Sequence, residues 1–319
     1  MTRLAPYLKL LPTPSRCAPN ATFVTLIANE TYVPGAVCLR RSMARVGSRC
    51  PLSLVVADPL PDSAMAELTA AFAGSRIRRL SDLRARVDQH KRAGRRLQTR
   101  AQLMSTRQLV RATGWAHRTF QKLLLFALDG YSRAAFLDID MLIARNVDAL
   151  LDQPPFAAVA ALPYAMKQFN SGVFVFTPSL ADATALEDLS LRASFDGRLP
   201  VGSAGLGLTP IRIQGAGERD QLTDQSIFNH HFKGRWTPLP YGYNMGVKTR
   251  KANRKLWTRT EVAIVHFVHR PKPWEAALAQ PTAELWKLAE RYNIEPLVRL
   301  ALSAIDCDGL RLLWKLAEL

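Results

Sequence analysis

The stretch AAFLDIDML, residues 134–142, decides the fold. Four apolar residues run straight into Asp138-Ile139-Asp140 with no polar position between them. A strand covered on both faces has this look where it emerges at its carboxyl end. On a strand, residues two apart share a face, so Asp138 and Asp140 present their carboxylates together while Ile139 turns into the core. Two hard oxygen donors at a strand's carboxyl end suit Mg²⁺ or Mn²⁺ bridging a diphosphate.

Outward from there, apolar and β-branched runs at 22–28, 52–57, 156–162, 172–177, 211–213 and 262–268 read as further strands. Between them, 34–46, 63–73, 119–128 and 181–191 read as helices, the third with Thr119 as its N-cap. The alternation predicts an α/β fold: a mixed, mostly parallel central sheet flanked by helices. Beyond Trp274 the pattern changes to two amphipathic helical stretches, 283–292 and 296–319, expected to pack on the body or on a partner. Residues 197–217 carry six glycines among turn formers and read as a long mobile loop.

Composition excludes several classes. The chain has 319 residues, 48% apolar and 22% charged, so it is neither a disordered polyelectrolyte nor a mini-fold that needs staples. Its net charge of +17 is concentrated. Residues 76–118 hold 13 basic residues against Asp82 and Asp88, for +11. Residues 248–259 hold six basic residues and no acid, for +6, which leaves a neutral body. Within the first segment, Arg92, Arg96, Arg100, Arg107 and Arg111 fall in an arc of roughly 100° if it is helical. Both segments are expected near an anionic ligand, with an anionic partner as a further candidate. Nucleic-acid binding has no finger, RNP or helix-turn-helix signature behind it, and aromatics do not interleave with the arginines.

Cys17, Cys38, Cys50 and Cys307 have no CxxC spacing and no regular framework, which reads as free thiols in a reducing compartment. Pro6, Pro12 and Pro14 break the start before a signal-length apolar run forms, and no stretch approaches about 18 consecutive apolar residues. The expected location is cytoplasmic.

The Asp pair keeps suggestive company. Asn29 follows the first strand, outside a carboxyl end, where α/β sheets bind ligands. His266 closes another strand and is followed by Arg270 and Lys272. It offers a nitrogen ligand beside a lysine suited to phosphate.

Five blocks carry a wider resemblance: VTLIANETY (24–32), FQKLLLFALDGYSRAAFLDIDMLIARNVDALLD (120–152), FNSGVFVFTPS (169–179), DQSIFN (224–229) and HFVHRPKPW (266–274). In order and spacing the set resembles the glycogenin-like retaining glycosyltransferases, family eight. The resemblance implies a GT-A fold over residues 21–274, with an extension at 1–20 and a helical tail at 275–319. It also implies a UDP-sugar donor, a hexose such as glucose or galactose, and a Mn²⁺ ion, with Mg²⁺ as the alternative. The acceptor is a glycan, protein or small-molecule hydroxyl, and a homodimer is a candidate assembly.

Carried over residue by residue, Asp138, Asp140 and His266 match the metal ligands, and Leu26, Asn29 and Tyr32 match the stretch holding the nucleoside. Lys122 matches a lysine that contacts the donor, and Lys272 the diphosphate lysine. Ile139, Ser171 and His269 complete the donor-binding set. Asn170 lies with Ser171 at the transferred sugar, and Asp224 and Gln225 stand beside the anomeric carbon. Catalytic roles thus fall to Asp224, Gln225, Lys122 and Asn170.

The chain departs from the family in three places. His269 stands where the family has glycine, and a bulky ring there reshapes the diphosphate turn or reaches the phosphate itself. No tyrosine lies between Tyr243 and His266, so self-glucosylation on that segment is not expected. The basic segment is long, and Arg107, Arg111 and Arg118 compete for the phosphate arginine. A second class of function is therefore kept beside the enzyme: a catalytically silent nucleotide-sugar-binding or polyanion-binding protein.

Overall fold

In the computed structural model the described residues are 7–12, 16–57, 59–93, 120–161, 167–194, 209–213, 222–246, 256, 259–268 and 272. The strands, in chain order, are β1 (Ala21–Ile27), β2 (Leu52–Val56), β3 (Ile77–Arg79), β4 (Arg133–Leu137), β5 (Met141–Ile143) and β6 (Ala157–Ala160). They continue with β7 (Phe169–Phe176), β8 (Ala193–Ser194), β9 (Ile211–Arg212), β10 (Thr237–Leu239), β11 (Met245–Gly246) and β12 (Ile264–His266). The helices are α1 (Val33–Arg45), α2 (Asp62–Ala71), α3 (Leu80–Ala93), α4 (Leu180–Arg192) and α5 (Asp224–His231).

β1 and β2 are buried along their whole length, as strands covered on both faces must be. They anchor a seven-stranded sheet in the order β10-β6-β7-β4-β1-β2-β3. β7 runs antiparallel to β4 and β6, and the other pairs are parallel. One face carries α1 and α2 over a core that includes Phe23, Leu39, Met43, Leu54, Leu68 and Phe72. The other carries α3, the 3₁₀ run Gln121–Ala127, α4 and α5 over Phe126, Phe136, Phe174, Phe176 and Phe228. The aromatic rings stack there: Phe156 on Phe232 at 3.9 Å between centroids, and Phe136 on Phe174 at 5.1 Å. A three-layer α/β architecture follows, as the strand and helix alternation predicts.

Local chemistry marks the helix ends. Ser179 caps α4 by accepting from the Asp182 N–H at 3.1 Å. Gly47, at φ 67°, closes α1 in the left-handed region that a C-terminal cap needs. Thr119 lies outside the described residues, and the expected helix after it is a 3₁₀ run beginning at Gln121. The sequence reading missed α3 and the short strands β3, β5, β8, β10 and β11. β3 and β5 have three residues each, and α3 is amphipathic but dense in charge. Both tail helices, and nearly all of the glycine-rich stretch, fall outside the described residues.

Cys17 and Cys50 form a disulfide with Cα atoms 5.1 Å apart, which corrects the expectation of free thiols. The cause is topological. Both residues lie just ahead of neighbouring parallel strands, with Phe23 opposite Leu52, so their side chains meet although they are 33 positions apart. Free thiols were one of the grounds for expecting a cytoplasmic location, and the disulfide removes that one. No helix among the described residues is long and apolar enough to cross a membrane. Residues ahead of β1 are tied to the body. Leu10 N–H donates to Glu261 at 3.0 Å, and Leu11 N–H to the Tyr243 hydroxyl at 3.1 Å.

α3 is bolted to α4 through Glu187, which is 6% exposed and receives both Arg84 and Lys91. Burial alone would raise the Glu187 carboxyl, but the two cations hold it below its ordinary value. Its contribution is therefore complete above the unfolded carboxyl pKa and is lost as pH falls through the lower folded value. Glu187→Gln strands two half-buried cations and is expected to cost about 3 kcal/mol. Denaturant unfolding checks this, and the gap between the variant and the parent should narrow as pH falls below the ordinary carboxylate range.

Candidate active site and metal centre

Two backbone pairings bring the acidic triplet to the histidine. β4 ends at Leu137, and the Asp138 N–H still donates to Gly172 O at 2.9 Å. The chain then turns through Ile139 and Asp140 before entering β5. The carboxylates converge through a strand end and the turn after it, not by alternation along one strand, because β4 stops short of the triplet. Ile139 is buried in the core, as expected. β12 pairs antiparallel with β5, His266 opposite Met141, and the Phe267 N–H donates to Asp140 O at 2.9 Å. This register sets His266 Nε2 at 3.1 Å from Asp140 Oδ1 and 3.7 Å from Asp138 Oδ2.

One ligand atom from each of Asp138, Asp140 and His266 lies within 4.8 Å of the other two. Neighbouring ligands on an octahedral ion with bonds of about 2.1 Å stand about 3.0 Å apart. The 3.1 Å between His266 and Asp140 matches that edge, and two carboxylates with one imidazole suit Mn²⁺ or Mg²⁺. A divalent cation fits these residues.

Cations already neutralise the acids. Lys122 Nζ stands 2.9 Å from Asp138 and 3.2 Å from Asp224, and lies over the Phe136 ring. Burial alone would lower the Lys122 pKa, but Asp138 and Asp224 raise it above its ordinary value, so it remains an ammonium. Burial raises the Asp138 carboxyl, with Lys122 pulling the other way. Asp140 goes in the opposite direction: burial would raise it, but His266 and Lys272 hold it well below the usual carboxylate range. Lys272 Nζ donates to Asp140 Oδ2 at 2.5 Å, to Phe267 O at 2.7 Å and to Val268 O at 3.1 Å. An ammonium has three N–H groups. A contact from Lys272 to a diphosphate requires it to give up one of these bonds.

β7 and α5 form the wall beside the acids. Asn229 clamps α5 to β7, accepting from the Phe169 N–H and donating to Phe169 O and Gln225 O, each at 2.8 Å. This places Asp224, 4% exposed, against Lys122, and sets Gln225 Oε1 2.9 Å from Asn170 Nδ2. Ser171 is buried next to Asn170, and its N–H reaches Gln225 Oε1 at 3.3 Å.

At the end of β1, Leu26 is buried in the core, so only its backbone is available to a ligand. Val24 pairs with Phe136, so Leu26 stands level with Asp138. Asn29 Oδ1 accepts from the Thr31 N–H at 3.0 Å and caps the 3₁₀ turn Glu30–Tyr32, whose Tyr32 packs against the core. His269, Arg107, Arg111 and Arg118 lie outside the described residues. The described part of the first basic segment is committed elsewhere. Arg78 pairs with Asp129 at 2.9 Å, Arg86 donates to Ala127 O at 2.9 Å, and Arg84 and Lys91 meet at Glu187. None of their partners is a candidate site residue, and 94–119 and 247–255 lie outside the described residues.

The sequence reading missed Asn244 and Gly172. Asn244 Oδ1 lies 2.7 Å from His266 Nδ1. A Cβ on Gly172 would sit 2.5 Å from His266 Cε1 and 2.9 Å from Nδ1, so glycine is what admits the ring. Gly172→Ala is expected to displace the imidazole and weaken Mn²⁺ binding by roughly 10-fold or more. Titration calorimetry checks it, and an unchanged affinity would contradict the packing described.

Comparison with known proteins places this geometry in context. The sequence profile of glycosyl transferase family 8 matches residues 210–277, the segment that holds Asp224, Gln225, Asn244, His266 and Lys272. Glycogenin-1 of Caenorhabditis elegans is 30% identical over 175 residues, covering 52% of this chain and 34% of that protein. Human glycogenin-1 is 28% identical over 264 residues, covering 80% of this chain and 62% of that protein. The chain thus spans about a third of the first relative's length and less than two thirds of the second's. Among solved structures, an active-site mutant of LgtC superposes with a TM-score of 0.51 at 18% identity, covering 88% of this chain and 96% of LgtC. The fold is that of the GT-A glycosyltransferases, and the glycogenin-like, family-eight resemblance of the five blocks holds.

Proposed function

We propose, from this kinship with the glycogenins, that the chain is a metal-dependent retaining glycosyltransferase that moves a hexose from a UDP-sugar to a hydroxyl acceptor. The observation that carries the reading is the convergence of Asp138, Asp140 and His266 within 4.8 Å, with Lys122 and Asp224 in contact beside them. Mn²⁺ is the ion we assign and Mg²⁺ the alternative, with Asp138, Asp140 and His266 as ligands. Bound there, the cation supplies positive charge to the diphosphate leaving group.

The chain's own residues do the rest. Lys122 keeps its proton and places a fixed charge where the donor's phosphates lose the sugar. Asn170 and Gln225 brace each other at the proposed sugar position, 2.9 Å apart. Asp224 is buried and ion-paired with Lys122, and Gln225 is a neutral amide. Neither is a good nucleophile in that state. Attack by the acceptor on the face the diphosphate leaves, with the leaving phosphate taking the acceptor's proton, is therefore the favoured route. UDP-glucose and UDP-galactose are the donors we assign first.

Incubation with each UDP-sugar and Mn²⁺ tests the reading. Metal-dependent release of UDP, abolished by chelation, is expected. UDP binding without release across a broad acceptor panel would instead favour the silent binding protein.

A further inference from the structure

A chain of side-chain amides links the metal-ligand histidine to the opposite wall, and its direction can be read from its far end. The Gly172 N–H donates to Asn170 Oδ1 at 2.9 Å, and a backbone N–H can only donate. Asn170 Oδ1 is thereby fixed as the acceptor and its Nδ2 faces Gln225, whose Oε1 accepts at 2.9 Å. The Ser171 N–H independently donates to the same Gln225 oxygen at 3.3 Å. Whatever Asn244 turns toward Asn170 Oδ1 must donate, so that atom is Nδ2, at 2.8 Å. Asn244 Oδ1 then faces His266 Nδ1 at 2.7 Å, and the ring nitrogen must carry the proton. Nε2 is the ring nitrogen left facing Asp140 and Asp138.

We infer that Asn244 is a positioning residue: it keeps a proton of His266 on Nδ1 and so leaves Nε2 as the nitrogen that faces a divalent cation. The same chain of bonds commits the Gln225 carbonyl to Asn170 and Ser171, so Gln225 offers an N–H, not an oxygen, to any ligand. Asn244 is well placed for this. It follows the 3₁₀ turn Tyr241–Tyr243 and precedes β11, which pairs parallel with β12, Gly246 opposite His266. Histidine ligands generally depend on such a partner on the second nitrogen for tautomer and orientation. The inference rests on the metal site proposed above but not on sugar transfer, and its tests are independent of turnover.

Long-range proton–nitrogen NMR of the nitrogen-labelled protein at neutral pH, with His266 assigned by comparison with His266→Gln, reads the tautomer directly. With saturating Mg²⁺, a protonated Nδ1 and an Nε2 resonance moved by the metal are expected. An unprotonated Nδ1 with Mg²⁺ bound, or a proton that averages rapidly between the two ring nitrogens, overturns the inference. Asn244→Leu removes the acceptor and is expected to weaken Mn²⁺ binding roughly 10- to 100-fold. Asn244→Asp keeps an acceptor for Nδ1 and is expected to bind Mn²⁺ at least as well as the parent. Equal affinity in the Leu variant and the parent also overturns it. If the Leu variant does not fold, the tautomer of the unaltered protein decides.

Discussion

Asp140→Asn is expected to release UDP on the order of 10³-fold more slowly than the parent while keeping its fold. Asp140 is the residue on which both halves of the site close. Its Oδ1 stands 3.1 Å from His266 Nε2, its Oδ2 takes the buried Lys272 ammonium at 2.5 Å, and its carbonyl receives the Phe267 N–H. Asparagine preserves shape and one acceptor but removes the charge. The loss should appear in metal affinity and turnover, and the buried Lys272 ammonium left without a counter-charge should also lower thermal stability, less than truncation does because one acceptor remains. Asp140→Ala separates the two roles. It leaves the Lys272 ammonium, in a residue 4% exposed, without its carboxylate, and an unfolding cost of about 3 kcal/mol is expected on top of the lost activity. If Asp140→Asn turns over normally with Mn²⁺, the metal-ligand role is wrong. If Asp140→Ala is as stable as the parent, the Lys272 strut is wrong.

Lys122→Met is the second large effect. The lysine is in contact with both Asp138 and Asp224, at 2.9 and 3.2 Å, and methionine leaves two carboxylates facing each other with no cation between them. Breaking a buried pair in this way costs about 3–5 kcal/mol, so the melting temperature should fall clearly. UDP release should also drop roughly 10²- to 10³-fold, the usual effect of removing one preorganised donor from developing charge. The two readouts can be told apart by adding Mn²⁺ and UDP, which should restore part of the stability through binding but none of the lost rate. A Lys122→Met protein that releases UDP at the parent rate would make Lys122 a structural counter-ion and nothing more.

The sheet and the acids were legible from the sequence because each depends on a contiguous signal. β1, β2, β4 and β7 are runs dominated by apolar and β-branched residues, and Asp138-Ile139-Asp140 is a local triplet at a strand end. β3 was hidden because it has three residues, two of them arginines that an edge strand can expose. α3 was hidden by its charge, although Leu80, Leu83 and Val87 are the buried stripe of an ordinary amphipathic helix. The pairing of Cys17 with Cys50 depends on which strands are neighbours, and no spacing rule contains that information. The same holds for Asn244, which reaches Asn170 across 74 residues, and for Gly172, whose function is an absence of side chain beside His266. Residue chemistry in the sequence points to the proposed ligand set, whereas the residues that orient those side chains become visible only when the strands are laid side by side.

A crystal grown with Mn²⁺ and UDP and measured at a wavelength where manganese scatters anomalously tests the central claim most directly. The account predicts one strong anomalous peak bonded to Asp138, Asp140 and His266 Nε2, with the diphosphate on its open side. A peak held by other residues, or bound UDP with no metal between these three, would contradict it.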